Sequence, residues 1–302
     1  YENKKNLFLG IISYQGEEFD LALNYFDNIS DKDLEKQYIQ YIISINYLRE
    51  DYEAIVKLSD KINNNRTLVD NIDYCFFFIG KAQFILEDFN NSIITLNQIK
   101  NSIDREDEIS FLIAYSNYIL KNYDESKPIF KSLSDNSSDY SQLSSFYLGM
   151  IFLEEREFNL SKNYFYASYK NDKDEIYTKS SLLNYAKSLY ELGDYDQSIA
   201  VLNKLKSTFP DFEVRQVNEL ISENYFMTNN YSRIISYLKS KDKITEEDKK
   251  KFQYVTYQKG VNEFNRGNFK NSIQYFDLSQ RYNSDNDIFI KSHLNKSEAF
   301  FI

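Results

Sequence analysis

One histidine, one cysteine and a few adjacent carboxylate pairs are the residues of this chain that could act on a substrate or hold a metal. His293 has Asp285, Asp287 and Glu298 near it in sequence, yet a zinc-type site needs three or four ligands, and no second histidine exists to share a helix face with it. Cys75 is followed by Phe76, Phe77 and Phe78, an apolar setting that reads as a buried structural thiol rather than a nucleophile. Being the sole cysteine, it has no partner for an intrachain disulfide. The pairs Glu17-Glu18, Glu154-Glu155 and Glu246-Glu247 are adjacent in sequence, and adjacent side chains on a helix diverge, so they are poorly set for acid and base work on one bond. They read as solvated turns and helix starts. A glycine-rich phosphate loop, a nucleophile elbow and a cysteine cluster are absent from the sequence. No catalytic residue, metal or cofactor is assigned.

The elements that would position any site are read from composition and period. Hydrophobic residues make up 42% and charged residues 27% of the 302, as in folded globular chains. Tyr 27 and Phe 24 with Trp 0 supply large apolar groups for a core, while Pro 2 and Gly 7 leave little material for β turns. These values predict an all-α fold. The formal charge of -10 opposes binding to a phosphate backbone. The densest basic runs, Lys241 to Lys243 and Lys249 to Lys251, are separated by Glu246, Glu247 and Asp248 and read as a solvated helix entry. No apolar run reaches the roughly 18 residues of a membrane span. The sequence starts at Tyr1 and stops within the apolar helical pattern Ala299 to Ile302, so both ends are expected to continue into a longer chain.

Residues Tyr177 to Pro210 read as two helices and a turn. Leu182, Tyr185, Ala186, Leu189 and Tyr190 lie at helical spacings of three and four. Gly193 can take the left-handed conformation that ends a helix, and Asp194 can cap the next one, which Tyr195 opens and Pro210 stops. The opening aromatic recurs at Phe19, Tyr52, Phe89, Tyr123, Phe158, Tyr195, Tyr231 and Phe269, in steps of 33 to 38 residues. Nine residues before each mark stands a mostly small residue: Gly10, Ile43, Gly80, Ala114, Gly149, Ala186, Ser222 and Gly260. A second small column lies three residues after the mark, with Ile55 and Ile234 as exceptions. Small residues there let the first helix (A) approach the second (B) closely. The second and seventh repeats, which break these columns, should cross differently, and the Tyr195 ring is expected to be buried.

A small residue in helix A, Gly193-Asp194-Tyr195 at the turn, Ser198 in helix B and the closing Pro210 together resemble the tetratricopeptide repeat. The resemblance implies a right-handed α-solenoid of about eight helix-turn-helix repeats and a ninth A helix. Their expected extents are 3–30, 33–64, 70–101, 105–134, 138–170, 174–208, 211–241, 245–282 and, in part, 285–302. It also implies a non-catalytic scaffold that binds a partner protein or peptide, or else the interaction region of an enzyme whose catalytic domain lies outside this sequence. The related pentatricopeptide repeat reads RNA with basic arrays, which the acidic balance opposes. An Asn, Ile, Lys and Tyr bias, with the stretches 176–193 and 209–221, is similar to long tetratricopeptide arrays of Bacteroidota, generally exported to the periplasm. A periplasmic or envelope-associated location is therefore expected, with the cytoplasm as the alternative.

In this family helix A lines the binding groove. The residue four after the small column reads Tyr14, Tyr47, Phe84, Tyr118, Leu153, Tyr190, Phe226 and Phe264, and the one three before it includes Phe77, Phe111 and Phe146. Two readings of these columns stay open: packing between repeats, or a partner-binding strip of Phe77, Phe84, Phe111, Tyr118, Phe146 and Leu153, flanked by Tyr115 and Met150 and continued by Tyr190. Family members that clamp an acidic C-terminus use Lys, Arg and Asn at groove positions, where this chain has Phe77, Phe111, Phe146 and Tyr115. An apolar or aromatic partner segment, with basic residues to meet the acidic rim, is expected instead.

Overall fold

The computed structural model describes residues 1–64, 71–101, 104–135 and 138–302, and every regular element among them is an α-helix. The helices pair as A and B partners joined by short turns. α1 (Glu2–Gln15) pairs with α2 (Phe19–Asp27), and α3 (Lys32–Leu48) with α4 (Tyr52–Lys57) and α5 (Ser59–Asn64). α6 (Ile72–Ile85) pairs with α7 (Phe89–Leu96), α8 (Glu106–Ile119) with α9 (Tyr123–Asp135), and α10 (Ser141–Glu154) with α11 (Phe158–Asn171). α12 (Glu175–Glu191) precedes α13 (Tyr195–Thr208), α14 (Val214–Met227) precedes α15 (Tyr231–Ser240), α16 (Glu246–Asn265) pairs with α17 (Phe269–Ser279), and α18 (Asn286–Phe301) closes the series. Each of the eight aromatic marks is the first residue of a B helix. Residue 70, the expected start of the third repeat, lies outside the described residues.

The chain divides into two compact units, Tyr1–Ser181 and Leu182–Ile302, with the division inside α12. Each is a stretch of α-solenoid made of the same hairpin.

One backbone device closes the A helix of each of the eight hairpins. The residue two before each mark has positive φ: Glu17, Glu50, Glu87, Lys121, Arg156, Gly193, Asn229 and Gly267. With the chain reversed there, the next amide returns to the helix end, as in Glu18 N to Ser13 O and Glu157 N to Phe152 O, both 2.8 Å. These bonds satisfy carbonyls that a helix terminus otherwise leaves open. In several hairpins the side chain before the mark then caps helix B, though Glu18, Glu157 and Asn268 make no such bond. Asp51 accepts from Ala54 N at 3.0 Å, Asn230 from Arg233 N at 3.2 Å and Asp194 from Gln197 N at 3.4 Å. Gly16 sits one residue early with φ -82, and Glu17 beside it takes the left-handed place.

The A and B helices meet at the small column. A Cβ on Gly80, Gly149 or Gly260 would lie 2.6, 2.8 or 2.7 Å from Leu96, Phe165 or Phe276, closer than packed carbon atoms approach. The facing residue is always sixteen positions on. Phe26, Leu96, Phe130, Phe165, Leu202, Leu238 and Phe276 form a column of large, fully buried side chains. Tyr195, expected as buried, is half-buried at its helix start, as are the other seven marks. Three serines of the second small column donate across the crossing, Ser92 Oγ to Gly80 O, Ser161 Oγ to Gly149 O and Ser198 Oγ to Ala186 O, at 2.8 to 2.9 Å, while Ser126 and Ser272 donate to Tyr123 O and Phe269 O of their own helices. A small side chain at the first column leaves that carbonyl within reach of a buried hydroxyl needing a partner.

A further column of polar residues, seven before the small one, ties helix A to the loop that follows helix B. Asn3 accepts from Ser30 N at 3.2 Å, and Asp73 from Lys100 N and Asn101 N at 3.0 and 3.2 Å. Gln142 accepts from Lys173 N and Asp174 N at 3.0 and 2.7 Å, and Gln253 from Asp285 N at 2.8 Å. Burial works to raise the Asp73 pKa, but these amides, the Asn101 side chain and the Lys100 charge outweigh it and hold the carboxyl below its usual range.

Of the two repeats that break the small columns, the second is also irregular in structure. In the second, Ile43 and Ile55 are both buried, helix B is broken at Leu58, and Ser59 occupies the facing position. In the seventh, cavities of about 500, 540 and 510 Å³ border α14, α15 and the start of α16.

Candidate partner-binding site

The aromatic residues read as a groove are joined ring to ring in the first unit. Phe84, at the end of α6, lies 5.6 Å from the mark Phe89 and 5.4 Å from Tyr115 of the next A helix. Tyr115 continues to Tyr147 at 5.0 Å, and Tyr118 reaches Tyr123 at 6.1 Å and Tyr147 at 5.1 Å. Phe146 contacts Phe165 at 5.7 Å and Tyr177 at 5.2 Å. Edge-to-face and offset geometries of this kind hold neighbouring helices together. Met150 and Leu153 are half-buried beside the run, and Tyr190 sits separately in the second unit, 5.7 Å from Tyr195.

Two of the expected residues are corrections. Phe77 has 0% exposure and Phe111 7%, so neither presents a surface to a partner. Phe77 is roofed by cations from its own helix and the next: Lys81 Nζ lies 5.6 Å and Arg105 Cζ 5.2 Å from its ring. Both are fixed by Glu108, at 2.5 and 3.0 Å. Burial pulls the Lys81 pKa down, and hydrogen bonds to Glu108 and Tyr47 more than offset it, keeping the amine charged. Phe111 is stacked under Tyr140 at 4.8 Å. The expected unbroken strip from Phe77 to Leu153 is therefore interrupted at two places, and packing between repeats accounts for most of its rings. Tyr118 belongs to that packing, so its removal also disturbs the fold.

Tyr147 is the hub that sequence reasoning missed. It touches Phe111, Tyr115, Tyr118, Phe130, Phe146 and Tyr177, and its hydroxyl lies 3.1 Å from that of Tyr177. Burial first, and the Tyr177 hydroxyl second, raise its pKa strongly. A signal existed two residues before the small column, where Phe8, Tyr41, Phe78, Leu112 and Tyr147 are all large and apolar.

The surface left open lies one residue beyond the aromatic column. Leu48, Ile85 and Ile119, five after the small residue, end their A helices with 61%, 39% and 41% exposure. They form an aliphatic row along α3, α6 and α8, bordered by the half-buried Phe84 and Tyr118. An exposed series of large side chains at one repeat position is the kind of surface that marks a contact site.

Among the described residues no group of three His, Cys, Asp or Glu is arranged to hold a metal ion. Burial pushes the Cys75 thiol up to about 12, which keeps it protonated and unreactive. His293 is exposed with its ring 4.7 Å from Phe289. The lysines of the basic runs are partly consumed by ion pairs, Lys241 with Asp248, Lys249 with Glu246 and Lys251 with Glu247, at 2.6 to 2.7 Å. They enclose a capping box between Thr245 and Asp248. No described helix is long and apolar enough to cross a membrane.

Residues 180–211 match the sequence model of the family described as tetratricopeptide repeat. That stretch carries a tetratricopeptide repeat. The matched stretch contains the Ser198 to Ala186 hydrogen bond, the Gly193 turn and the Asp194 cap, and the left-handed turn recurs at Arg156 and Asn229 in the hairpins on either side. Among curated proteins, no sequence matches. Solved structures similar in fold include a tetratricopeptide repeat protein from Parabacteroides merdae, 14% identical, covering 87% of this chain and 100% of its own, with a TM-score of 0.49. The apo form of the quorum sensor NprR from B. thuringiensis is 14% identical over 92% of this chain and 85% of its own, with a TM-score of 0.45. The TPR2AB domain of yeast Sti1, solved with a pHSP90, is 16% identical over 92% and 98%, with a TM-score of 0.35.

Proposed function

We propose that the chain is a non-catalytic interaction scaffold, and that its first unit docks a partner polypeptide on the A-helix ends of the second to fourth tetratricopeptide hairpins. The observation that carries this reading is the aliphatic row Leu48, Ile85 and Ile119, held in solvent by helices whose other apolar positions are packed. Rigid helices present the row without an ordering cost at binding, and the partner's apolar side chains bury area against it. Half-buried Phe84, Tyr115, Tyr118, Phe146, Met150 and Leu153 supply the wall behind it rather than the contact itself. An apolar or aromatic partner segment fits such a surface.

The test is a triple substitution, Leu48→Ser, Ile85→Ser and Ile119→Ser, compared with the unaltered protein in cross-linking capture from the native host, followed by titration of the captured partner after purification. Serine at exposed positions leaves the helical circular dichroism and melting temperature near their original values. Affinity should fall at least tenfold, about 1.4 kcal/mol. Equal affinity of the two proteins for the same partner would remove the row from the site. A periplasmic or envelope-associated setting belongs to the same proposal and is supported by the compositional bias; cell fractionation with a soluble cytoplasmic marker tests it.

A further inference from the structure

The charge of the chain is not spread over its surface. In the five A-to-B turns of the first unit, the seven residues from four before the mark to two after it hold thirteen acids and three bases. That local charge of -10 equals the formal charge of the entire chain. In the second unit the sixth window still carries the acids Glu191, Asp194 and Asp196, whereas those of the seventh and eighth hairpins carry the bases Arg233, Arg266 and Lys270 and no acid.

The structure gathers the acidic turns at one edge. Two pairs of successive turns touch: Arg49 Nη2 of the second lies 2.7 Å from Asp20 of the first, and Tyr123 and Lys127 of the fourth hairpin reach Glu154 and Glu155 of the fifth at 2.5 and 2.8 Å. Glu17, Glu18, Glu50, Glu87, Glu125 and Glu157 are exposed along that edge. The aliphatic row borders it directly, because Leu48 and Ile85 each stand two residues before a left-handed glutamate, Glu50 and Glu87. Two rows thus run side by side across the hairpins, one of large aliphatic side chains and one of carboxylates. Neighbouring hairpins pack roughly 8–10 Å apart, about one Debye length at physiological salt, so a cation at this edge is attracted by more than one turn at a time.

We infer that the partner is a cationic amphipathic segment, with large apolar side chains seated on Leu48, Ile85 and Ile119 and Lys or Arg side chains on the turn glutamates. The inference rests on the docking surface proposed above and adds the partner's chemistry. Charge complementarity selects this occupant. An acidic or phosphorylated segment would be repelled by this edge, and a purely apolar one would draw nothing from its exposed glutamates.

The experiment uses the full chain and three synthetic 18-residue probes, a Leu/Lys amphipathic peptide, its Leu/Gln twin and its Leu/Glu twin, titrated by fluorescence anisotropy in 50 and 500 mM NaCl. The Leu/Lys peptide should bind at least tenfold more tightly than the Leu/Gln twin at low salt and lose at least tenfold at high salt, and the Leu/Glu twin should not bind. Neutralising the edge by Glu17→Gln, Glu50→Gln and Glu87→Gln should weaken Leu/Lys binding about tenfold and flatten its salt dependence. The matched neutralisation Asp104→Asn, Asp107→Asn and Asp139→Asn, away from these turns, should leave it unchanged. Equal binding of the Leu/Lys and Leu/Gln peptides, or equal losses from the two neutralised variants, would overturn the cationic partner while leaving the docking surface in place. Undiminished Leu/Lys binding to the Leu48→Ser, Ile85→Ser, Ile119→Ser protein would overturn the surface itself.

Discussion

The fifth and second hairpins solve the same packing problem in opposite ways. In the fifth, Gly149 gives up its side chain so that Phe165 can lie against the A-helix backbone, Ser161 donates to the exposed Gly149 carbonyl, and Gln142 fastens the outgoing loop. In the second, the A helix keeps a full-sized Ile43 at the crossing, the facing position shrinks to Ser59, and Ile55 replaces the cross-linking serine. Helix B is then broken at Leu58. Bulk at the crossing is kept roughly constant by moving it from one helix to the other, as volume-conserving exchange in a close-packed core requires. What the second hairpin gives up is the continuous B helix. The four hairpins with glycine at the crossing, the first, third, fifth and eighth, are also those in which Asn3, Asp73, Gln142 and Gln253 bind the loop amides.

The largest way to break this comparison is to empty the aromatic side of the fifth crossing. Phe165→Ala leaves a cavity against Gly149 that the helices cannot close, and should cost about 3–5 kcal/mol. The positionally equivalent change in the second hairpin, Ser59→Ala, removes one half-exposed hydroxyl and should stay within about 0.5 kcal/mol. Urea unfolding followed by circular dichroism measures both. Equal costs would mean that the facing position bears the same load in each hairpin.

A smaller effect comes from adding to the glycine side. Gly149→Ala places a Cβ 2.8 Å from the Phe165 ring and should cost about 1–3 kcal/mol through overpacking. Adding Phe165→Leu should recover part of that loss, because the smaller leucine gives the new Cβ more room than the Phe165 ring does. A double-mutant cycle that shows the two changes to be additive would place the strain elsewhere.

Most of the fold was legible because its signals are local. An aromatic at each B-helix start and a small residue nine before it fix turn and crossing with no long-range information, and Ile43 announced the irregular second hairpin. The site was less legible for a geometric reason. A 3.6-residue period says which residues share a face, not whether the next hairpin covers them, so Phe77 and Phe111 looked like surface until Arg105 and Tyr140 were seen above them. The open aliphatic row lies one residue beyond the column judged to face outward. Asn3, Asp73, Gln142 and Gln253 could have been found as polar residues at a fixed distance before glycine.

The left-handed turn residue was the least legible feature, and it yields the smallest effect and the sharpest sign. Glycine marked this position only at Gly193 and Gly267, yet Glu17, Glu50, Glu87, Lys121 and Arg156 adopt the same conformation with φ between 58 and 61. A side chain in that region costs about 1–2 kcal/mol, and glycine gives back roughly 0.5–1 kcal/mol in unfolded-chain entropy. Glu87→Gly and Lys121→Gly should therefore each stabilise the first unit by about 0.5–1 kcal/mol, read as a higher urea midpoint. Charge separates the causes, since one substitution removes an acid from the crowded edge and the other removes a base. A gain from both assigns the effect to backbone strain. A gain from Glu87→Gly with a loss from Lys121→Gly would assign it to repulsion between neighbouring acidic turns, and would show that charge at this edge limits the stability of the first unit.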